Sequence, residues 1–304
     1  MKISIDSYKG VIVPMITPLT KEGKIDEPSS VRLINYLMDN ENIPFVLGTT
    51  GESASIPVPE KEELIQILTA IKRPRIPAIA GVIGLTMAKT ISQANKYIKY
   101  GVDAVVITLP YHYELTDFQI FNYYKVLAEN IEGNIILYNI PKTVHQSIPI
   151  IAIDDLSHIE NIIGIKDSEM NRERITESLS LWNNREDFSH FTGVNALMPL
   201  GIELGSKGLV PSTANIAPGL YVNLYKKCLE GNKEEAEKLY LKTLEWTSIY
   251  QEGKTLGNSI AALKYLMAEM NLCEPYVMLP LTEPDEEEKC RLIKKLKNYL
   301  AIEV

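Results

Sequence analysis

The sequence predicts a protein of the α/β class, a (β/α)8 TIM barrel with a C-terminal helical extension, and three observations carry that prediction. From Gly10 onward, short apolar runs rich in β-branched residues alternate with amphipathic helical stretches, one pair for roughly every thirty residues, about the length of a strand-and-helix unit. The runs are nearly continuous in apolar character, as strands covered on both faces are. Eight of them pass without a break in composition, and after Pro211-Ser212-Thr213-Ala214-Asn215 the strand-like runs stop.

Taken in order, the strands are expected at Val11–Thr17, Ile43–Gly48, Ile76–Gly81, Ala104–Leu109, Asn134–Asn139, Ile162–Lys166, Phe188–Gly193 and Gly208–Pro211. Helical periodicity lies between them. Leu64, Ile67, Leu68 and Ile71 form one stripe behind Pro59-Glu60-Lys61-Glu62, a first turn with proline and acidic residues where a helix dipole favours them. A doubly wound open sheet is the alternative architecture, but no GxGxxG follows the first strand, which removes the best argument for a dinucleotide-binding version. Leu220–Glu230, closed by Gly231-Asn232, reads as the eighth barrel helix, and Lys233–Tyr250, Leu256–Met270 and Pro284–Leu300 as three more. Residues 1–230 are therefore expected to form the barrel with the active site and 231–304 the extension, with no linker between them. The last helix opens on acids and ends on lysines, a charge order that a solvated surface helix explains.

Composition narrows the function. The chain has 304 residues, 45% hydrophobic, and a net charge of −8 without any long basic run, so nucleic acid and anionic membrane surfaces are poor partners. Cys228, Cys273 and Cys290 are odd in number and show no CxxC, which argues against a disulfide framework or a zinc site and fits a reducing cytoplasm. Met1–Gly10 lacks a basic segment followed by an apolar one, and no apolar run approaches about 18 residues, so neither signal peptide nor membrane span is expected. His112, His145, His158 and His190 have no HxxxH or HExxH spacing; neither a metal nor another cofactor is indicated.

A barrel of this kind gathers its site from the C-terminal ends of its strands. The sixth candidate strand, Ile162 to Lys166, stops at a lysine. Such a lysine either reaches water or sits where the neutral, nucleophilic amine is favoured, and for the residue alone both readings stand. The second strand ends in Gly48-Thr49-Thr50-Gly51-Glu52-Ser53, hydroxyls between glycines that let backbone amides approach a carboxylate or phosphate oxygen; a tight turn capped by Ser53 or Glu52 is the simpler alternative. The fourth runs into an aromatic lip, Pro110-Tyr111-His112-Tyr113, which packs, faces another subunit or serves the site. The fifth ends at Tyr138-Asn139-Ile140-Pro141, one unit before Lys166, where a phenol that donates and accepts protons suits an amine attacking a carbonyl. Asn195 after the seventh strand and Ser212-Thr213 after the eighth either contact a polar substrate or cap helices.

GTTGES, PYxY, YNIP and GIKDS, in this order and at this spacing, resemble the dihydrodipicolinate synthase / N-acetylneuraminate lyase superfamily over essentially the whole chain. The resemblance implies a class I aldolase, lyase or dehydratase in which Lys166 forms a Schiff base with pyruvate or a 2-oxo acid. Tyr138 would be the general acid/base, Thr49 and Thr50 would join the proton relay, and the loop through Gly51 would hold the 2-oxo acid carboxylate, with the Val210 carbonyl near the same end. It also implies a homotetramer, a dimer of dimers whose lip residues enter the neighbouring site.

Departures from the family pattern bear on the second substrate. Thr143 stands where the lysine-pathway synthases carry an arginine for the aspartate semialdehyde carboxylate, and a hydroxyl does not replace a bidentate guanidinium. Ser212 matches a serine of the sugar-acid lyases, yet Val194-Asn195 occupies the place of the acidic pair with which sialate lyases bind hydroxyls. His112 falls at the intersubunit relay tyrosine, so His112, Tyr113 or an impaired relay are the alternatives there. The leading reading is a lyase or aldolase of a small 2-oxo acid. A 4-hydroxy-tetrahydrodipicolinate synthase with an altered acceptor site and a 2-oxo acid-binding protein with impaired turnover are the competing ones.

Overall fold

Eight strands pair in parallel and in sequence order, and the last closes onto the first, which excludes the open sheet. This computed structural model describes residues 4–84 and 86–302, with side chains described through residue 297. β1 (Gly10–Pro14) leads to α1 (Glu27–Asp39), β2 (Ile43–Val46) to α2 (Val58–Ile71), β3 (Ile79–Val82) to α3 (Met87–Lys99) and β4 (Ala104–Thr108) to α4 (Asp117–Asn130). β5 (Asn134–Asn139) is followed by the short α5 (Pro141–Val144) and by α6 (Ile150–Leu156), and β6 (Ile162–Asp167) by α7 (Arg172–Trp182). β7 (Ser189–Thr192) precedes α8 (Met198–Leu204), and β8 (Gly208–Leu209) precedes α9 (Pro218–Leu229). The extension is α10 (Lys233–Gln251), α11 (Leu256–Glu269) and α12 (Glu286–Ile302).

The apolar runs became strands as expected, but several end elsewhere, each for a local reason. β2 stops at Val46 rather than Gly48 because Leu47 turns into the left-handed region at φ 57°. β3 starts at Ile79 rather than Ile76, since Pro77 has no N–H to give the ladder. β1 ends at Pro14, and Thr17 instead gives its hydroxyl to the Gly51 carbonyl at 2.7 Å. β6 runs one residue further than expected, through Asp167, which pairs with Asn139 and Thr192. α9 begins at Pro218 instead of Leu220, with proline at its first position, where a missing N–H costs nothing. α12 begins at Glu286 because Asp285 caps it, accepting from the Glu288 amide at 2.9 Å.

Every residue of β2, β3, β4, β6, β7 and β8 is buried, as strands between a filled barrel and a ring of helices must be. Gly164 is needed within β6: a Cβ there would lie 2.4 Å from the Ser189 carbonyl oxygen. The extension folds back over the mouth of the barrel. Trp246, Ile249 and Tyr250 of α10 are buried, and the Thr213 hydroxyl lies 2.8 Å from Thr247 and 2.9 Å from the Tyr250 phenol.

Candidate active site

Parallel pairing places Thr108, Tyr138, Lys166 and Phe191 side by side on β4 to β7, so their side chains leave the sheet on one face. The next residues, Asn139 and Asp167, necessarily take the other. On the inner side Lys166 is only 5% exposed, and its Nζ lies 4.0 Å from the centre of the Tyr138 ring and 5.1 Å from that of Phe45. The Tyr138 hydroxyl is 3.4 Å from Thr49 Oγ1. Burial pushes the Tyr138 phenol up, but the Lys166 charge and hydrogen bonds from Lys166, Thr49 and Ser168 outweigh it, and the net shift is downward. An amine, a phenol shifted downward and a hydroxyl thus lie in one short series.

The loop that brings Thr49 in is tightly wound. Gly51, Glu52 and Ser53 donate back to the carbonyls of Gly48 and Thr49, and the Thr49 and Thr50 amides stand outside that ladder. Gly51 sits where a Cβ would come 2.9 Å from the Met15 carbonyl oxygen. Glu52 adopts a left-handed φ of 56° and turns its carboxylate away from the barrel, to Lys264 Nζ at 2.7 Å and the Met278 amide at 2.7 Å. Lys264 also donates to the Tyr276 carbonyl, and both members of the pair are fully buried.

Behind the lysine, Asp167 accepts from Arg174 Nε at 2.7 Å and from Asn139 Nδ2 at 2.9 Å, and Asn139 also donates to Glu169 at 3.0 Å. This buried network ties the end of β6 to β5 and α7. Sequence reasoning missed it, as it missed Phe45, Thr17 and the Glu52–Lys264 pair. For Asp167 a signal existed: alternation along a strand puts the residue after an inward lysine on the outer face, where it needs a buried partner.

Thr49 also lines a cavity of about 300 Å³ outside the barrel mouth, walled by Tyr111, Thr143, Leu256, Ile260 and Leu281. Of the residues singled out from the sequence, Lys166, Tyr138 and Thr49 are therefore brought together, Thr50 and Gly51 lie in the same loop, and Thr143 faces the adjoining cavity. Lys142 beside it is exposed. Val210 is buried just past β8, its amide bound to the Thr192 carbonyl. Ser212 is engaged by the Tyr250 phenol at 2.8 Å. Asn195 is engaged by Thr247 at 3.0 Å and by the Tyr221 phenol at 3.1 Å, so its amide spans barrel and extension rather than capping a helix. His112 is exposed on the lip, its ring edge-on to Tyr113 at 4.8 Å, apart from the Lys166–Tyr138–Thr49 set. Among the described residues no His, Cys, Asp or Glu group is arranged to hold a metal ion, and no helix is long and apolar enough to cross a membrane.

The model of the dihydrodipicolinate synthetase family matches residues 7–299. The chain belongs to that family. Among its curated relatives, the 4-hydroxy-tetrahydrodipicolinate synthase of Persephonella marina is 32% identical over 295 residues, covering 96% of this chain and 98% of the relative. Among solved structures, the dihydrodipicolinate synthase of Bacteroides thetaiotaomicron superposes with a TM-score of 0.90 at 28% identity, covering 95% of this chain and 98% of the other. The chloride-inhibited dihydrodipicolinate synthase of Acinetobacter baumannii, solved with pyruvate, has a TM-score of 0.86 at 26% identity, covering 96% and 98%. Membership in the dihydrodipicolinate synthetase family agrees with the resemblance drawn from the four motifs, and makes the chain an enzyme of the class I aldolase type.

Proposed function

We propose that this enzyme forms a Schiff base between Lys166 and pyruvate or a closely related 2-oxo acid, and uses it to make or break a carbon–carbon or carbon–oxygen bond. The observation that carries the reading is the Lys166 amine 4.0 Å from the Tyr138 ring, with the Tyr138 hydroxyl 3.4 Å from Thr49. The amine adds to the keto carbon, and Tyr138 moves the protons that carbinolamine formation and loss of water require, with Thr49 as the next member of the relay. The amides of Thr49 and Thr50, which stand outside the turn's own ladder, hold the carboxylate at the rim, while the Gly51 amide is taken by the Gly48 carbonyl and the Val210 carbonyl lies close to the same end. Removal of a proton from the imine then yields the enamine, the nucleophile of the condensing direction and the product of cleavage. Ser212 and Asn195, held by Tyr250 and Thr247, support the substrate side of the rim by fixing the extension above it.

The test is reductive trapping. Incubation with pyruvate and borohydride is expected to leave a stable adduct on the Lys166 peptide and none on Lys166→Arg; an unmodified peptide in the parent enzyme would sink the mechanism.

A second reading, 4-hydroxy-tetrahydrodipicolinate synthase proper, is favoured by the names of the curated relatives. Thr143 weighs against it, because aspartate semialdehyde brings a carboxylate. Coupled turnover of pyruvate with aspartate semialdehyde at a rate sufficient for biosynthesis would establish it. We further propose a cytoplasmic homotetramer, a dimer of dimers, in which the lip of Tyr111, His112 and Tyr113 meets a neighbouring subunit and His112 or Tyr113 extends the proton relay there.

A further inference from the structure

The cavity beside Thr49 has a chemistry of its own. Its walls are side chains of Ile83, Val144, Leu256, Ile260 and Leu281, and the polar groups that reach it are mainly hydroxyls. No lysine, arginine or histidine lines it among the described residues. Glu52 borders it, but both carboxylate oxygens are consumed, one by Lys264 and the other by the Met278 amide. Lys264 is itself fully buried against Glu52, so neither charge is free for a ligand. Thr143 gives its hydroxyl to the Ile140 carbonyl at 3.3 Å, and the neighbouring Lys142 is exposed and not among the lining residues.

A carboxylate entering this space would lose water and find no cation, the costly way to bury a charge. A sugar chain would leave several hydroxyls facing leucine and isoleucine. An apolar group meets mostly apolar wall there, with the hydroxyls left to its carbonyl oxygen, and an apolar cavity of about 150 Å³ already admits benzene. About 300 Å³ therefore has room for a branched alkyl chain or a single aromatic ring together with a carbonyl group.

We propose that the carbonyl partner of this enzyme is an uncharged aldehyde with an apolar alkyl or aryl substituent, seated in the cavity with its reactive carbon toward Thr49. The inference rests on the Schiff-base reading of Lys166 and supplies its second substrate. In the condensing direction the enamine carbon derived from the pyruvate methyl group bonds to the aldehyde carbon. The aldehyde π pair moves to oxygen, which takes up one proton, balancing the one lost from the methyl group. Water then adds to the imine and releases the Lys166 amine with a 4-hydroxy-2-oxo acid bearing the apolar substituent at C4. The reverse sequence cleaves that acid to pyruvate and the aldehyde.

Two measurements on the full-length enzyme test the proposal. Borohydride trapping of pyruvate on Lys166 reports the first half of the chemistry, and kcat/KM for isovaleraldehyde, benzaldehyde, aspartate semialdehyde and glyceraldehyde at saturating pyruvate reports the second. The apolar pair is expected to exceed the other two by about 100-fold or more, in the range that pocket contacts can discriminate. Leu256→Ser is expected to raise KM for the apolar aldehydes about 10-fold, whereas Thr143→Arg is expected to shift preference toward aspartate semialdehyde. Normal trapping with equal or better use of aspartate semialdehyde or glyceraldehyde overturns this inference and leaves the Schiff base standing. Trapping without turnover of any aldehyde also overturns it, in favour of a binding role. Absence of the trapped adduct overturns the Schiff-base reading and this inference together.

Discussion

Tyr138 is held between opposing influences: burial disfavours its phenolate, and Lys166, Thr49 and Ser168 more than compensate. Removing only its oxygen should therefore remove proton transfer and little else. Tyr138→Phe is expected to lower kcat by about 10²- to 10⁴-fold, the usual worth of a general acid/base, while pyruvate is still trapped on Lys166 over a longer incubation. His190 carries a second expectation at this scale, through stability. Burial first, and the Arg174 charge with it, push its imidazole down from the ordinary 6.5 to about 4, although Asp167 pulls the other way. The unfolded chain then binds a proton in the window between those values and the native state does not, so stability is complete above pH 6.5 and falls as pH drops toward 4. The loss by pH 4 is about 3 kcal/mol, and His190→Gln should remove that part of the slope in urea melts compared at pH 7 and pH 5. In the sequence His190 reads only as a strand residue and Asp167 only as part of the GIKDS motif beyond the strand, because what matters at each is the outer-face neighbour that only the closed sheet supplies. Lys166 and Tyr138 were legible, since both end apolar runs one unit apart and adjacent parallel strands carry their ends to one mouth.

Among the elements, the loop after β2 is fixed both by its own turn and by a helix more than two hundred residues away. Glu52 and Lys264 are 212 residues apart, both fully buried, and the pair holds the Thr49 loop against α11. Breaking one side leaves an uncompensated charge in the core, which costs about 3–5 kcal/mol. Lys264→Met is expected to lower stability by that amount, and Glu52→Gln combined with Lys264→Met to recover a large part of it. Thermal melts of the two variants and the parent decide the point: equal losses in the single and double variants would show that the pair contributes no coupling. Because Thr49 follows the loop, the single variant should also slow imine formation, a readout that a remote structural ion pair would leave untouched. Periodicity gave this helix's extent to within a residue, Leu256–Glu269 against the expected Leu256–Met270. It could not give the partner: a lone lysine on an apolar helix and a glutamate in a loop show no pattern until the extension is folded over the barrel. Strand ends were illegible for a related reason. The positive φ of Leu47 and the missing N–H of Pro77 act within one or two residues, below the resolution of an apolar run.

For the whole molecule, the surface carries a concentration of aromatic residues that its fold does not use. Tyr111, Tyr113 and Phe118 are 46%, 74% and 75% exposed; the two tyrosines lie in the loop between β4 and α4, and Phe118 lies in the first turn of α4. Large apolar groups clustered at a rim mark an association surface more often than a free one, and this rim adjoins the cavity through Tyr111. The net charge of −8 works against association, so the contact has to be built from apolar area rather than from charge attraction. The motif PYxY made the lip visible in the sequence, but not its exposure, which follows from the strand ending at Thr108 and the helix starting only at Asp117. If the lip is the dimer contact, charges placed on it should divide the assembly and weaken turnover together. Tyr113→Glu combined with Phe118→Glu is expected to convert a tetramer into a smaller species by light scattering, with melting temperature little changed because neither side chain is in the core. Activity should fall with the mass, and should return in part when protein concentration is raised enough to restore the larger species. A parent enzyme that is monomeric and fully active would remove the neighbour from the mechanism, and with it any role for His112 or Tyr113 as a relay into an adjoining subunit.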